Sequence, residues 1–155
     1  MFNRRKNEPQ KLCSDYYLRP YAGRKKKFKA AAERLSGGGR LKDFASGHEY
    51  FGLHRDSGGW VLREWAPNAE QIFLVGDFNG WRELPEFKLR KIEEWGVWEL
   101  RLLSHEVNHG DHYLLKVYWP GGSGLRIPAY CRYTVQDDNT KLFSAMVWNP
   151  EKPYK

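Results

Sequence analysis

Ile72-Phe73-Leu74-Val75-Gly76-Asp77-Phe78-Asn79-Gly80-Trp81 is the stretch that decides the fold of this chain. Its four consecutive apolar residues, 72–75, predict a strand that is buried on both faces. The strand is predicted to stop at Gly76-Asp77 and to turn through Asn79-Gly80, a pair that readily adopts positive φ. The turn ends on Trp81, and a large apolar ring at a turn beside polar residues is poorly placed for a core. Such a ring is suited instead to lying flat against a sugar ring.

Short strands separated by turns are predicted on both sides of this stretch. Period-two alternation is clearest in Val97–Leu103 and Tyr113–Trp119, where alternate side chains share one face. The other predicted strands are His48–His54, Trp60–Trp65, Gln71–Val75, an edge around Phe87–Lys91, Leu125–Ile127, Tyr130–Val135 and Leu142–Trp148. Regular strands with turns at intervals of about 8–12 residues predict an all-β fold, an immunoglobulin-like antiparallel β-sandwich.

An N-terminal α-helical extension is predicted ahead of the sandwich. Apolar residues recur at helical spacing between Arg24 and Leu35, with lysines on the opposite face. Ser36-Gly37-Gly38-Gly39 is predicted to end this helix and to form a linker. The predicted organisation is therefore a basic extension at 1–40, a sandwich domain at 41–148, and the start of a further linker at 149–155.

The positive charge is concentrated in the extension. Residues 1–42 hold 13 Lys/Arg against three acidic residues, whereas residues 43–155 hold 13 against 16. The formal net charge of +7 therefore combines a strongly basic arm with a slightly acidic domain. This distribution argues against nucleic-acid binding by the sandwich itself.

Composition and cysteine usage favour a cytoplasmic domain. No stretch approaches the roughly 18 uninterrupted apolar residues of a membrane span, and the N-terminus lacks the apolar core of a secretory signal. The two cysteines, Cys13 and Cys131, lie far apart in the sequence and are expected to be free thiols.

The opening stretch, with its Gly-Asp-Phe-Asn-Gly-Trp signature, and four further blocks of the sequence resemble carbohydrate-binding module family 48. This family is the sandwich that precedes the catalytic barrel in glycogen and starch branching enzymes. The others are Leu18–Tyr21, Phe44–His54, Arg63–Ala69, and the pair Arg126–Tyr130 and Leu142–Pro150. They are similar to the N-terminal helix, the first strands and the exit toward the barrel of the longer type of branching enzyme.

The resemblance implies a non-catalytic glucan-binding module of a 1,4-α-glucan branching enzyme. The parent would cleave an α-1,4 link and form an α-1,6 branch through a covalent glycosyl-enzyme. In that family the nucleophile and the acid/base residue lie on the barrel, so no catalytic residue, cofactor or metal is expected in this chain. The expected partners are an α-1,4-glucan polymer such as glycogen or amylopectin and the parent's own barrel, with no membrane; nucleic acid enters only as the alternative partner of the basic arm.

The resemblance also implies a carbohydrate-binding site at Trp81 and at the nearby turn Trp95-Gly96-Val97. Arg82-Glu83 stands where the family often has Asn-Pro, and Val97 stands where a polar or basic residue often occurs. Lys116 and Tyr118 share a strand face and are weaker candidates for sugar contact. Each Trp also has a structural alternative, a turn plug for Trp81 and a packing role for Trp95. Four other tryptophans are expected in the core or at the seam with the barrel: Trp60, Trp65, Trp98 and Trp148.

Other sequence features indicate no further chemistry. His105, His109, Asp111 and His112 lie close together, but their spacing fits no metal motif and predicts a strand-entry loop. Two other functions stay open: an architectural domain that packs on the barrel without binding sugar, and nucleic-acid binding through the basic arm around Arg24–Lys27.

Overall fold

The computed structural model describes residues 15–152, and side chains from Pro20 onward. Cys13 and the last three residues of the predicted C-terminal linker lie outside the described residues. The chain divides into two compact units, residues 1–46 and 47–155. The domain limits predicted from the sequence, with a boundary near residue 41, stay a prediction.

The first unit contains α1 (Asp15–Ser36) and α2 (Leu41–Phe44). Helix α1 begins nine residues before the predicted start and runs through Pro20, its sixth residue. A proline there removes one backbone hydrogen bond near the helix start, which the remaining 16 residues tolerate. The helix ends at Ser36 as predicted, because Gly37 and Gly38 adopt left-handed conformations with φ of 58° and 87°.

The second unit is the predicted antiparallel sandwich. Its elements are α3 (Gly47–Tyr50), β1 (Gly52–Arg55), β2 (Gly59–Trp65), β3 (Gln71–Gly76), β4 (Arg90–Glu93), β5 (Val97–Leu103), β6 (His112–Trp119), β7 (Gly122–Arg126), β8 (Thr134–Gln136) and β9 (Phe143–Met146). One sheet has the order β1-β2-β5-β4. The other has β3-β6-β9-β8, with β7 also paired to β6. All of these pairings are antiparallel.

The core forms between the two sheets, where alternate residues of the long strands meet. Buried members include Trp60, Leu62, Ile72, Leu74, Trp98, Leu100, Leu102, Tyr113 and Leu115. The predictions for β2, β3, β5 and β6, and for Trp60 and Trp98 as core residues, are confirmed.

Several predicted strands are shorter in the structure. The predicted strand 48–54 begins as helix α3, because Gly52 has a φ of 93° and turns the chain into the sheet only at that point. The edge predicted at 87–91 is a strand at Arg90–Glu93, and the strand predicted at 130–135 starts at Thr134. The turn after β6 consists of Pro120 and Gly121 alone, because Gly122 already pairs with Trp119 as the first residue of β7.

Strand β3 separates two ends of the sandwich. At one end β2 finishes at Trp65, β3 starts at Gln71 and the turn before β5 contains Trp95. At the other end β3 finishes at Gly76, where the loop carrying Trp81 follows. We call these the Trp95 end and the Trp81 end. The six residues of β3 make five steps of roughly 3.4 Å, so about 17 Å of strand lies between the two ends.

A carboxylic acid is buried in the sandwich under the segment that follows β7. Glu64 is 8% exposed, and its Oε2 accepts a hydrogen bond from the Ala129 amide at 3.1 Å. Burial raises the pKa of Glu64 above its ordinary value, and the hydrogen bonds from the Ala129 and Trp65 amides offset this only in part. Burial similarly raises the pKa of the neighbouring Tyr113 phenol. The fold therefore favours neutral forms of both groups.

The pH dependence of stability tests the state of Glu64. A carboxyl whose pKa is higher in the folded than in the unfolded state lowers the unfolding free energy as the pH rises through that interval. We predict that Glu64→Gln stabilises the protein more at pH 7 than at pH 4, relative to the unchanged protein, in urea unfolding. The exposed Glu70→Gln serves as the control and should show no such difference. An equal effect of Glu64→Gln at both pH values would contradict the assignment.

Candidate functional site: an aromatic surface at each end of the sandwich

Trp95 lies on a tight turn that joins β4 to β5. The Gly96 amide donates to the Glu93 carbonyl at 3.0 Å and closes the turn, which leaves Trp95 59% exposed. Gly96 has a φ of 109°, a conformation that favours glycine. A Cβ on Gly96 would also lie 2.7 Å from the Pro67 nitrogen, so the turn packs directly on the chain after β2.

Trp65, the last residue of β2, completes this surface. Its indole Nε1 donates to the Trp95 carbonyl oxygen at 3.2 Å, and the residue is 54% exposed. The Ala66 amide donates to the Gly96 carbonyl at 2.8 Å, and the indole of Trp98 donates to the Ala66 carbonyl at 2.9 Å. These three bonds tie the end of β2 to the turn before β5, and each of the two segments carries one exposed indole. We call this pair the Trp65–Trp95 platform.

The platform differs from the predicted site in two ways. Val97 is fully buried, so its side chain cannot contact a ligand, and Gly96 is buried as the residue that allows the turn to approach Pro67. Trp65, predicted for the core or a seam, is exposed in this chain. The signal that could have found it is the alternation of β2, in which Trp60, Leu62 and Glu64 face the core and Trp65 therefore faces outward.

Trp81 lies at the opposite end of the sandwich. Its amide donates to the Gly76 carbonyl at 2.9 Å, and its indole Nε1 donates to Asp77 Oδ1 at 3.0 Å. The other oxygen of Asp77 accepts the His112 amide at 2.7 Å. The ring is 43% exposed, so Trp81 is held at its edge by the loop rather than sealed inside the domain.

The loop before Trp81 is organised by a buried amide. Asn79 is buried, its Oδ1 accepts the Gly76 amide at 3.0 Å, and its Nδ2 donates to the Leu74 carbonyl at 2.9 Å. Phe78 stacks on Phe87 at a centroid distance of 5.3 Å. These contacts explain the residue types of the signature that precedes Trp81. The turn residue Gly80 is left-handed, as predicted.

Trp81 itself has a φ of 60°, which is strained for a bulky residue. Only Trp81 and Lys141 among the non-glycine residues described have positive φ. Left-handed backbone costs roughly 1–2 kcal/mol for a residue with a Cβ. The loop therefore holds an exposed indole in place against a conformational cost.

Lys116 and Tyr118 lie on the outer face of β6, and both are half-buried. The Tyr118 hydroxyl donates to Glu83 Oε2 at 2.7 Å, a bond that raises the pKa of the Tyr118 phenol. The Lys116 ammonium lies 5.3 Å from the centre of the Tyr118 ring, and Phe73 packs edge-on against that ring. A sugar would have to displace Lys116 to stack on Tyr118, so these two residues stay weaker candidates.

The predicted residues thus fall at separate places. Trp95 is joined by Trp65, while Trp81 lies beyond the length of β3 at the other end. Tyr118 pairs with Gln71 at the start of β3, and its hydroxyl reaches Glu83, which is two residues after Trp81 in the chain. Trp81 and Trp95 therefore do not form one site.

The part of the chain that the structure describes contains neither a metal-binding cluster nor a membrane-spanning helix. Between Asp15 and Lys152 no three His, Cys, Asp or Glu side chains are grouped so that they could hold a metal ion. None of the helices described is both long and apolar enough to span a membrane. Cys131 is a free thiol that donates to the Tyr133 carbonyl at 2.9 Å.

A β-sandwich that presents exposed, fixed indoles at its ends has the form of a carbohydrate-binding module. The family model of carbohydrate-binding module 48 (isoamylase N-terminal domain) matches residues 50–131. The chain belongs to this family.

Relatives and solved structures extend the comparison. The chain is 35% identical over 155 residues to a 1,4-alpha-glucan-branching enzyme of Equus caballus, covering 91% of this chain and 22% of the enzyme. It is 37% identical over 126 residues to the enzyme of Aspergillus oryzae, covering 76% and 18%. A pullulanase of Paenibacillus barengoltzii complexed with maltotriose matches 77% of this chain and 19% of its own, with 20% identity and a TM-score of 0.48. The chain thus spans about a fifth of the length of these relatives.

Substitution of Gly96 tests how the platform is held. We predict that Gly96→Ala lowers the unfolding free energy by about 2–3 kcal/mol, because the added methyl meets Pro67 in addition to the backbone strain. Gly121→Ala is the matched control: its φ is 85°, but nothing lies within 4 Å of the added methyl, so only strain is expected. Urea unfolding measures both. Equal costs for the two variants would show that the contact with Pro67 is unimportant.

Two substitutions of Trp81 separate backbone strain from the ring. Both Trp81→Gly and Trp81→Ala remove the indole, but only glycine relieves the left-handed conformation. We predict that Trp81→Gly is more stable than Trp81→Ala by about 1 kcal/mol in urea unfolding. The prediction fails if alanine is as stable as glycine at this position.

Proposed function

We propose that this chain is the non-catalytic, glucan-binding N-terminal module of a 1,4-α-glucan branching enzyme. The observation that carries the proposal is the Trp65–Trp95 platform, two indoles that are each more than half exposed, with the Trp65 indole N–H donating to the backbone carbonyl of Trp95. Exposed indoles cover the C–H faces of glucose rings, while adjoining polar groups take the hydroxyls. The similarity to branching enzymes supports an α-1,4-glucan such as glycogen or amylopectin as the ligand.

The contact area of the platform suits weak, reversible binding. If each ring removes about 60–80 Å² from water at roughly 25 cal/mol/Å², it contributes about 1.5–2 kcal/mol. Two rings must also offset the entropy lost on association. Since two rings supply about 3–4 kcal/mol and 1 mM corresponds to about −4.1 kcal/mol, we expect a dissociation constant of about 1 mM or weaker for a short oligosaccharide.

Weak binding serves a positioning function in this proposal. A tethered module raises the local concentration of the polymer near the catalytic domain, where α-1,4 cleavage and α-1,6 transfer take place. The parent's catalytic barrel, expected from the sequence resemblance, supplies the reacting groups in this proposal. The cytoplasmic location predicted from the sequence stays a prediction.

An exposed apolar region near β8 and β9 favours the barrel as a second partner. Tyr133, Leu142 and Phe143 are exposed, and Tyr133 stacks on Trp148 at 4.5 Å between ring centres. A patch of this kind is typical of a domain–domain contact. Architectural packing on the barrel is compatible with sugar binding, since this region is separate from the platform in the sequence and the sheets.

Substitutions in the platform test glucan binding. We predict that Trp95→Ala and Trp65→Ala each weaken binding of maltotriose about tenfold or more, because each removes about half of the stacking area. NMR titration of the indole N–H signals measures the affinity. Phe28→Ala, which removes an exposed ring from α1, is the control and should leave the affinity unchanged.

Two outcomes would count against the proposal. Unchanged maltotriose affinity in both platform variants would remove the platform from sugar binding. Binding to duplex DNA that falls steeply between 50 and 200 mM salt, with no binding to amylopectin, would favour the basic arm and nucleic acid instead.

A further inference from the structure

The structure places aromatic surfaces at two ends of one rigid body. Between them lies β3, whose residues Ile72, Leu74 and Val75 are buried in the core. Strand β3 is hydrogen-bonded along its whole length to β6, from Gln71–Tyr118 to Gly76–Tyr113. The distance between the Trp81 end and the Trp95 end is therefore fixed by the best-packed part of the sandwich.

The backbone of Trp81 is an independent sign that this end has a function. A left-handed tryptophan costs free energy that glycine at the same position would not, and such outliers are concentrated at functional sites. The Asp77 carboxylate fixes the indole edge through Nε1, and the exposed Arg82 follows immediately in the chain. A fixed, exposed ring with a carboxylate at its edge matches the chemistry of a sugar contact, and the same loop holds a guanidinium, since Arg82 Nε donates to the Asn79 carbonyl at 3.3 Å.

The two surfaces have no side chain in common. The Trp65–Trp95 platform is held by backbone groups of residues 66, 95 and 96, whereas Trp81 is held by Gly76 and Asp77. Removal of one ring therefore leaves the support of the other intact, so each surface can bind by itself.

We propose that the sandwich is bivalent: the Trp65–Trp95 platform and Trp81 bind two separate segments of one polymeric α-glucan. This inference rests on the proposed function and adds the kind of substrate, a long or branched polymer in which two segments lie about 17 Å or more apart. Maltotriose is too short to reach from one end of β3 to the other. It can occupy either surface but gains nothing from the second.

Bivalence predicts different effects of substitution on short and long glucans. When a ligand is held at two places, the second contact is intramolecular, and overall affinity rises by about 10²–10⁴-fold over one contact. If the two surfaces bound independently, removal of one would lower the overall affinity only twofold. With bivalent binding, removal of either surface should lower the affinity for a polymer much more than that.

The experiment compares the unchanged protein with Trp81→Gly, Trp95→Ala and the double variant. Binding to maltotriose is followed by NMR, and binding to amylopectin by affinity electrophoresis. In the unchanged protein we expect maltotriose to shift two groups of indole signals, one from each surface. Each single variant should lose the signals of its own surface, while the maltotriose affinity of the other surface stays within twofold. For amylopectin we expect each single variant to bind at least tenfold more weakly. Phe28→Ala is the control and should match the unchanged protein in both assays.

Each result separates bivalence from the proposed function. If Trp81→Gly binds amylopectin as tightly as the unchanged protein, bivalence is overturned, while glucan binding by the platform stands. The same conclusion follows if maltotriose does not shift the indole signal of Trp81. It also follows if Trp81→Gly loses only twofold in its affinity for amylopectin. If the unchanged protein binds neither ligand, the proposed function fails together with the bivalence.

Discussion

The hydrogen bond from the Ala66 amide to the Gly96 carbonyl, 2.8 Å long, is the contact on which the Trp95 end depends. It joins the end of β2 to the start of β5, and the absence of a side chain on Gly96 lets the two segments approach closely enough to form it. The carbonyl of Ala66 in turn accepts the buried indole of Trp98, which connects the loop to the core. The exposed pair Trp65 and Trp95 is thus held in place by the same contacts that close the sandwich.

Period-two alternation predicts β5 and β6, and the run of four apolar residues at 72–75 predicts β3. Alternation places Trp98, Leu100 and Leu102 of β5 inside, where the structure has them. Trp65 is expected in the core or at a seam, and the structure excludes the core. The residue is 54% exposed at the last position of β2, on the face opposite Trp60, Leu62 and Glu64.

Features that depend on contacts distant in sequence could not be predicted in this way. Trp81 and Trp95 are 14 residues apart and could have been neighbours. They are separated because the chain after Trp81 runs back along β3, where the Leu89 amide bonds to the Ile72 carbonyl, before it enters β4. The burial of Glu64 likewise depends on the segment at Ala129, 65 residues further on. Alternation alone would have placed Glu64 in the core but gives no partner for its carboxylate.

The sandwich carries three features that reduce its stability without contributing to the core: a left-handed Trp81, a buried acid at Glu64, and large exposed indoles at Trp65 and Trp95. A domain selected only for packing would have glycine at position 81 and small or polar residues at positions 65 and 95. Two of the three features expose aromatic rings at opposite ends of the sandwich, while the Glu64 carboxyl group accepts a hydrogen bond from the Ala129 amide. The cost of exposing the rings is recovered only when a ligand covers them. Because a single ring binds weakly, that recovery is largest for a polymer that covers both ends at once.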